Sequence, residues 1–167
     1  KRQVGRSATE MQVSFDAIPF ADGLKIGASY FEFDKQGATV KDQEAESGAY
    51  YATYSIGNVS LGYSQAYKAL LIATAANTGV EYYDQVNQSI SYAINDDLSV
   101  SYESEKSEAN YVLDSTAAVE QKSTGIQIAY NLGGMTLALA RNSHDNPSYS
   151  TSNADIDQTL LAVTMAF

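Results

Sequence analysis

The chain has 167 residues and a formal net charge of −10, with 13 tyrosines, two prolines and neither cysteine nor tryptophan. Without cysteine the chain forms no disulfide and no thiolate metal site. Its acidity argues against nucleic acid as a partner and against a surface helix held to anionic lipid, since both need a basic face. The longest uninterrupted apolar run, Ala69 to Ala73, is far shorter than the roughly 20 residues of a membrane-spanning helix.

Alternation of apolar and small polar residues recurs along almost the whole chain and predicts β-strands. The clearest example runs from Ser89 to Tyr102, where alternating residues flank a turn-like Asn-Asp-Asp sequence at 95–97. An all-β, antiparallel up-and-down architecture is therefore expected. The predicted strands are 9–19, 24–34, 48–56, 59–66, 79–94, 98–105, 123–131, 135–141 and 157–167.

The predicted connections alternate between short turns and long polar stretches. Short turns lie near Asp22, Gly57, Asp96 and Gly133, and the long stretches are 35–47, 67–78, 106–122 and 142–156. Transmembrane barrels are organised in this way, with short periplasmic turns and long extracellular loops. The segment 66–78 lacks alternation and contains good helix formers, which is consistent either with a short helix or with an apolar loop over the barrel mouth.

The face opposite the apolar residues carries mainly Ser, Gly, Ala, Thr, Asn and Gln. Long charged side chains normally cover the outer face of a soluble β-sandwich, whereas small uncharged polar groups fit the wall of a water-filled channel. Strands in lipid must close into a barrel because every backbone polar group needs a partner. A soluble sandwich with cross-strand tyrosine pairs is the alternative. The candidate pore-lining residues are Lys25, Ser99, Ser101, Glu103, Gln127 and Asn131.

The chain ends on an alternating apolar pattern formed by Leu161, Val163, Met165 and Phe167. This pattern resembles the C-terminal assembly signal of bacterial outer-membrane proteins. Together with the hairpins before it, it makes nearly the whole chain resemble the C-terminal half of general porins of Gram-negative proteobacteria, the alphaproteobacterial type included.

The resemblance implies that residues 1–167 are a single β-barrel domain that supplies nine strands of a sixteen-stranded transmembrane barrel. It implies a bacterial outer-membrane porin, a channel for passive diffusion of small hydrophilic solutes and ions, which acts as a homotrimer and is not an enzyme. The implied partners are outer-membrane lipid, lipopolysaccharide and the outer-membrane assembly machinery. A loop that constricts the pore is expected to lie outside this chain.

Strand parity leaves two alternatives, because bacterial single-chain barrels have an even number of strands. Nine strands are expected if the chain is a fragment that carries the last part of a larger barrel. Alternatively, 1–19 is not a membrane strand and 24–167 forms an eight-stranded structural or adhesive barrel that acts through its extracellular loops. Eight strands leave an interior filled by side chains, whereas sixteen leave an aqueous channel.

The sequence gives few signs of catalytic residues, metal ligands or other binding sites. His144 is predicted to lie exposed in a loop, and neighbours in sequence make a poor catalytic triad, so no catalytic residue is predicted. The acidic loops are suited to Ca²⁺ or Mg²⁺, without a defined ligand set, and no other cofactor is expected. Arg141 ends an outward strand on the apolar register and is the candidate contact for a lipopolysaccharide phosphate.

Overall fold

The structure, a computed structural model, describes residues 6–35, 43–72 and 78–165. They form one sheet of nine strands in chain order, each antiparallel to the next, and the predicted all-β, up-and-down architecture is thereby confirmed. The strands are β1 (Arg6–Phe15), β2 (Leu24–Lys35), β3 (Ala45–Ile56), β4 (Val59–Ala69), β5 (Val80–Ala93), β6 (Leu98–Tyr111), β7 (Val119–Asn131), β8 (Met135–Asp145) and β9 (Ile156–Met165).

The sheet has two ends, which differ in their connections. The turn end carries the connections 16–23, 57–58, 94–97 and 132–134, and at the loop end lie the last residues of β2, β4, β6 and β8, which are Lys35, Ala69, Tyr111 and Asp145. Among the described strands β1 pairs only with β2 and β9 only with β8, so the sheet is not closed. Its two outer edges therefore keep backbone groups free for pairing.

At the loop end the strands run further than the alternation predicts. β6 continues to Tyr111 and β7 starts at Val119, where strand ends were expected at 105 and 123, and β8 continues to Asp145. Ladder hydrogen bonds join backbone groups, so pairing continues where both faces carry polar side chains and the hydrophobic pattern has ended. The connections at this end are correspondingly shorter than predicted.

β1 ends earlier than predicted, at Phe15. Proline has no N–H to donate to a ladder, and Pro19 lies within a turn over 16–23. In this turn Ala21 N–H donates to the Ile18 carbonyl at 3.0 Å. The connection is consequently longer than the tight turn expected near Asp22.

The described part of 66–78 contains strand and no helix. Residues 66–69 belong to β4, and Ile72 exchanges backbone hydrogen bonds of 3.0 and 3.2 Å with Gln43. Gln43 Nε2 also donates to the carbonyls of Leu70 and Glu81, at 2.9 and 3.0 Å. One side chain thus ties two connections of the loop end together, while residues 73–77 lie outside the described residues.

Specific residues set two of the connections at the turn end. Gly57 has a φ of 54° at the first central position of a two-residue hairpin, where a type II′ turn needs glycine. In the 94–97 turn, Asn95 Oδ1 accepts the backbone N–H groups of Asp97 and Leu98, both at 2.9 Å. The predicted turn at 95–97 is confirmed, and Asn95 is the side chain that caps it.

The strand register divides the side chains between two faces, since paired residues in neighbouring strands point to the same side. We call one the apolar face; each strand contributes to it a large hydrophobic side chain that is exposed. One such residue from each strand, in chain order, is Met11, Ile26, Ile56, Leu61, Ile90, Tyr102, Ile128, Leu139 and Leu161. The other we call the small-polar face; representative residues are Ser29, Ala49, Ser64, Asn87, Ser91, Ser101, Gln127 and Ala138.

The described residues pack no hydrophobic core against either face. Within them only Ile72 and Ala109 are buried hydrophobic residues, at 3% and 0% exposure. Leu161, by contrast, is 73% exposed. Burial of apolar surface is the main favourable term in folding, and in this sheet the large apolar side chains of both outer and inner strands stay exposed.

Candidate functional site

The apolar face changes character along the strands. Its hydrophobic zone lies toward the turn end, and charged residues follow on the same face toward the loop end. We call these the charged border: Glu32, Glu46, Asp84, Lys106, Glu108, Glu120, Lys122, Arg141 and Asp157. Two ion pairs lie in this border, Lys106 Nζ–Glu120 Oε1 at 3.4 Å and Arg141 Nη2–Asp157 Oδ2 at 3.8 Å.

Tyrosines join the hydrophobic zone to the polar end of the same face. Tyr30 OH donates to Glu46 Oε2 at 3.1 Å, and Tyr50 OH donates to Gln65 Oε1 at 2.5 Å. The ring of Tyr50 lies 6.3 Å from that of Tyr63. A tyrosine with its ring among apolar groups and its hydroxyl among polar ones suits a boundary between oil and water.

All six predicted pore-lining residues lie on the small-polar face. β6 contributes Ser99, Ser101 and Glu103, and Gln127 of β7 lies directly beside Ser101. The remaining two lie at the turn end, Lys25 beside Thr53 and Asn131 beside Thr136. The register therefore brings four of them together on β6 and β7, while Asn131 ends β7 and Lys25 lies on β2, four strands from β6.

His144 lies in β8, so the prediction of a loop at this position is wrong. It is half-buried on the small-polar face, where its Nδ1 lies 2.9 Å from Ser123 Oγ in the neighbouring strand. Glu103 and Glu105 line the same shallow groove. The prediction fails because the polar outer half of β8 lacks the alternation that marks a strand.

No group of three or more His, Asp or Glu residues in the described ranges is arranged to hold a metal ion. The Ca²⁺ or Mg²⁺ expected at the acidic loops stays a prediction.

Arg141 lies on the apolar face beside Ile126 and Thr159, at the start of the charged border. Its guanidinium and the carboxylate of Asp157 are both well exposed, at 68% and 65%. A lipopolysaccharide phosphate would thus meet an arginine that already has a loosely held carboxylate partner. Contact with lipopolysaccharide remains a prediction.

The terminal apolar pattern continues the apolar face across β9. Leu161, Val163 and Met165 pair with apolar residues of β8 and are 73%, 52% and 53% exposed. Phe167, the last member of the predicted assembly signal, lies outside the described residues.

One feature of the small-polar face is not predicted from the sequence. The connection 146–155, which we call the crossing loop, leaves β8 and passes back over the face. Asn146 Nδ2 donates to the Glu120 carbonyl and Ser148 N–H to Gln121 Oε1, both at 2.9 Å, which anchors the loop to β7.

Tyr149 carries the crossing loop beyond β7. Its hydroxyl lies 2.7 Å from Ser107 Oγ on β6, and its ring lies 5.1 Å from that of Tyr83 on β5. Ser107 is only 6% exposed. Lys68 and Gln85 line the same cleft beneath the loop. The loop thus spans from β8 to β5 at the loop end.

The backbone of the crossing loop is unusual. Asn146, Ser148 and Tyr149 have φ angles of 49°, 61° and 54°, a region that non-glycine residues seldom occupy. Asn146 is tolerated there more readily than most residues, which is the one local sign in the sequence. Nothing in the alternation marks Tyr149 as a residue that reaches three strands away.

The part of the chain that the structure describes contains no helical segment with the length and hydropathy of a transmembrane span.

Comparison of the chain with models of protein families gives no match, and comparison with curated proteins gives no match either. Function is therefore inferred from the two faces of the sheet and the crossing loop.

Proposed function

We propose that this chain forms part of the wall of an outer-membrane porin, a β-barrel channel through which small hydrophilic solutes and ions diffuse passively. One observation carries this proposal: every strand presents an exposed large apolar side chain on one face, while the opposite face carries mainly small polar groups. The apolar face would contact hydrocarbon and the small-polar face would contact water inside the closed barrel.

Lipid is the environment that best matches the apolar face. Soluble monomers rarely expose a contiguous apolar patch of more than a few hundred Å², and here the patch crosses nine strands. The strands have 10 to 14 residues, enough for the 9–11 residues of a tilted transmembrane strand. The tyrosines and the charged border would lie at the outer interface, where aromatic girdles flank the apolar band of such barrels.

Water is the environment that best matches the small-polar face. Serine, alanine and glycine fill little space, so a wide barrel lined by them keeps an aqueous lumen. Solutes would be selected by the width of that lumen and by wall charges such as Lys25 and Glu103. Neither a catalytic group nor a cofactor is part of this mechanism.

The pairing of β1 favours a wide barrel over the eight-stranded alternative. A closed barrel built from 24–167 would need β2 to pair with β9. Instead β2 pairs with β1 along its whole length, from Arg6–Lys35 to Phe15–Ile26, and with β3 on its other side. Closure in lipid would then require the outer edges of β1 and β9 to pair with each other or with further strands.

By resemblance we extend the proposal to a sixteen-stranded barrel in a homotrimer. Lipid, lipopolysaccharide and the outer-membrane assembly machinery would be its partners.

The experiment is conductance of the full-length protein in planar lipid bilayers. Stable, discrete steps are expected, together with heat-modifiable migration in detergent gels, which reports a folded barrel. A folded protein that leaves bilayers silent would contradict the channel function, and extraction as a folded monomer into detergent-free buffer would contradict the membrane location.

A matched pair of charge reversals tests which face lines the lumen. Glu103 lies on the small-polar face of β6 and Glu108 lies on the apolar face of the same strand. Glu103→Lys is expected to move the reversal potential in a salt gradient toward anion preference, because wall charges set selectivity. Glu108→Lys changes the net charge equally but faces away from the lumen. Equal shifts for the two variants would contradict the assignment of the faces.

A further inference from the structure

The crossing loop lies over a floor of small side chains near the loop end. The row of paired residues at this level runs Ser29, Ala49, Ala66, Gln85 and Ser107 across β2 to β6, and its last three members line the cleft beside Tyr149. These residues leave space above the sheet, and Tyr149 lies in part of that space, against Ser107 and Tyr83.

We propose that the crossing loop narrows the passage along the small-polar face, and that Tyr149 is the residue that holds the loop there and so sets the size limit for solutes. This inference rests on the proposed channel function. A constriction contributed by 146–155 would be separate from the one that the porin resemblance implies outside this chain.

The backbone conformation of the crossing loop explains why contacts with the sheet are needed to keep the loop in place. Three of its non-glycine residues have left-handed φ angles, which cost free energy relative to ordinary conformations. A loop detached from the sheet would relax to other conformations. Its contacts with β7, β6 and β5 compensate for that cost, and Tyr149 makes the two that reach furthest across the sheet.

The cleft under the loop also determines what a solute would meet. Tyr83 and Tyr149 present aromatic rings, and Lys68 and Gln85 present a cation and an amide. Removal of the Tyr149 ring would widen the passage and remove one of its two aromatic surfaces, without changing the charge of the wall.

The first experiment compares single-channel conductance and liposome swelling, with sugars of increasing size, for the full-length protein and three variants. Tyr149→Ala is expected to raise conductance and to admit larger sugars. Thr151→Ala is the control, since Thr151 is exposed in the same loop, and is expected to leave both unchanged. Tyr149→Phe keeps the ring but loses the hydroxyl contact to Ser107, so the loop should detach roughly fivefold more often, seen as brief high-conductance events.

The second experiment measures how well the crossing loop covers position 107, without relying on transport. The chain contains no cysteine, so Ser107→Cys introduces a single thiol beneath Tyr149. Its reaction with a water-soluble maleimide should be slow, because position 107 is 6% exposed, and clearly faster when Tyr149→Ala is added. Heat-modifiable migration of each variant shows that the barrel is folded.

The outcomes separate the two proposals. If the folded unsubstituted protein gives no conductance steps, the channel function fails and the constriction fails with it. If that protein conducts but Tyr149→Ala has the same conductance and size limit, the constriction alone is wrong, whatever the labelling rate. An unchanged labelling rate in the Tyr149→Ala background would show that Tyr149 does not cover Ser107, and would also overturn the inference.

Discussion

The two halves of the sheet contrast along the same strands. In the half next to the turn end, the apolar face carries residues such as Ile90 and Ile128, and the opposite face carries Ser91 and Gln127. In the half next to the loop end, polar side chains occur on both faces, and on β6 they include Glu105 and Lys106.

This contrast shows that strand pairing and side-chain alternation are separate properties: pairing depends on the backbone, whereas alternation depends on the surroundings of the two faces. The strands continue through both halves with the same ladder, so the backbone alone does not distinguish the two. The alternation exists only where the two faces meet different environments, which we propose to be lipid and water. Where polar side chains occur on both faces, the pattern disappears although the strand does not.

The greatest loss of stability is expected when a charge is placed in the apolar zone of the turn-end half. Ile128→Arg should lower the free energy of unfolding in lipid vesicles by about 2–4 kcal/mol, the cost of arginine on the lipid face near the bilayer midplane. Urea titration, followed by the fraction of heat-modifiable protein, measures it.

Gln127→Arg is the matched control for that substitution, because residue 127 is adjacent in sequence and lies on the small-polar face. Its arginine would face water, and little loss of stability is expected. Similar losses for the two variants would mean that the faces are not lipid and water.

The same contrast explains which parts of the fold the sequence predicts and which it does not. All nine strands and the face of every pore-lining candidate follow from alternation, because period two assigns alternate residues to opposite faces. The extension of β6 to Tyr111 and the placement of His144 in a strand do not follow, since polar residues on both faces leave no period to detect. The crossing loop depends on contacts of Tyr149 with strands distant in sequence, which local patterns do not contain.

A smaller effect is expected for the hairpin between β5 and β6. Asn95→Ala removes the acceptor of two backbone N–H groups and should cost about 1 kcal/mol, the usual net contribution of such hydrogen bonds. Asp96→Ala, in the same turn, is the control and should change the unfolding midpoint much less. If Asp96→Ala is the more destabilising variant, Asn95 does not cap the turn.

A charge on the apolar face of the loop-end half should lower the free energy of unfolding by less than Ile128→Arg or Asn95→Ala does. Thr124 lies on the same face of β7 as Ile128, beside Ser104 and Ser143. Thr124→Arg is expected to cost about 0–1 kcal/mol, as found for charged residues near the membrane interface. The urea titration used for Ile128→Arg measures it, and a loss as large as that of Ile128→Arg would place the hydrocarbon boundary beyond Thr124, closer to the loop end than proposed.

The smallest effect concerns Arg141 within the charged border. Its pair with Asp157 is exposed and 3.8 Å long, so Arg141→Gln should change stability by about 0–1 kcal/mol in vesicles of phospholipid alone. If Arg141 binds a lipopolysaccharide phosphate, the variant should lose additional stability only in vesicles that contain lipopolysaccharide, because a charge-assisted contact to phosphate is stronger than an exposed ion pair. Lys106→Gln, which removes the other cation paired in this border, is the comparison. Equal losses for Arg141→Gln with and without lipopolysaccharide would leave Arg141 as an interfacial side chain whose partner is Asp157, since a lipid contact must depend on the presence of the lipid.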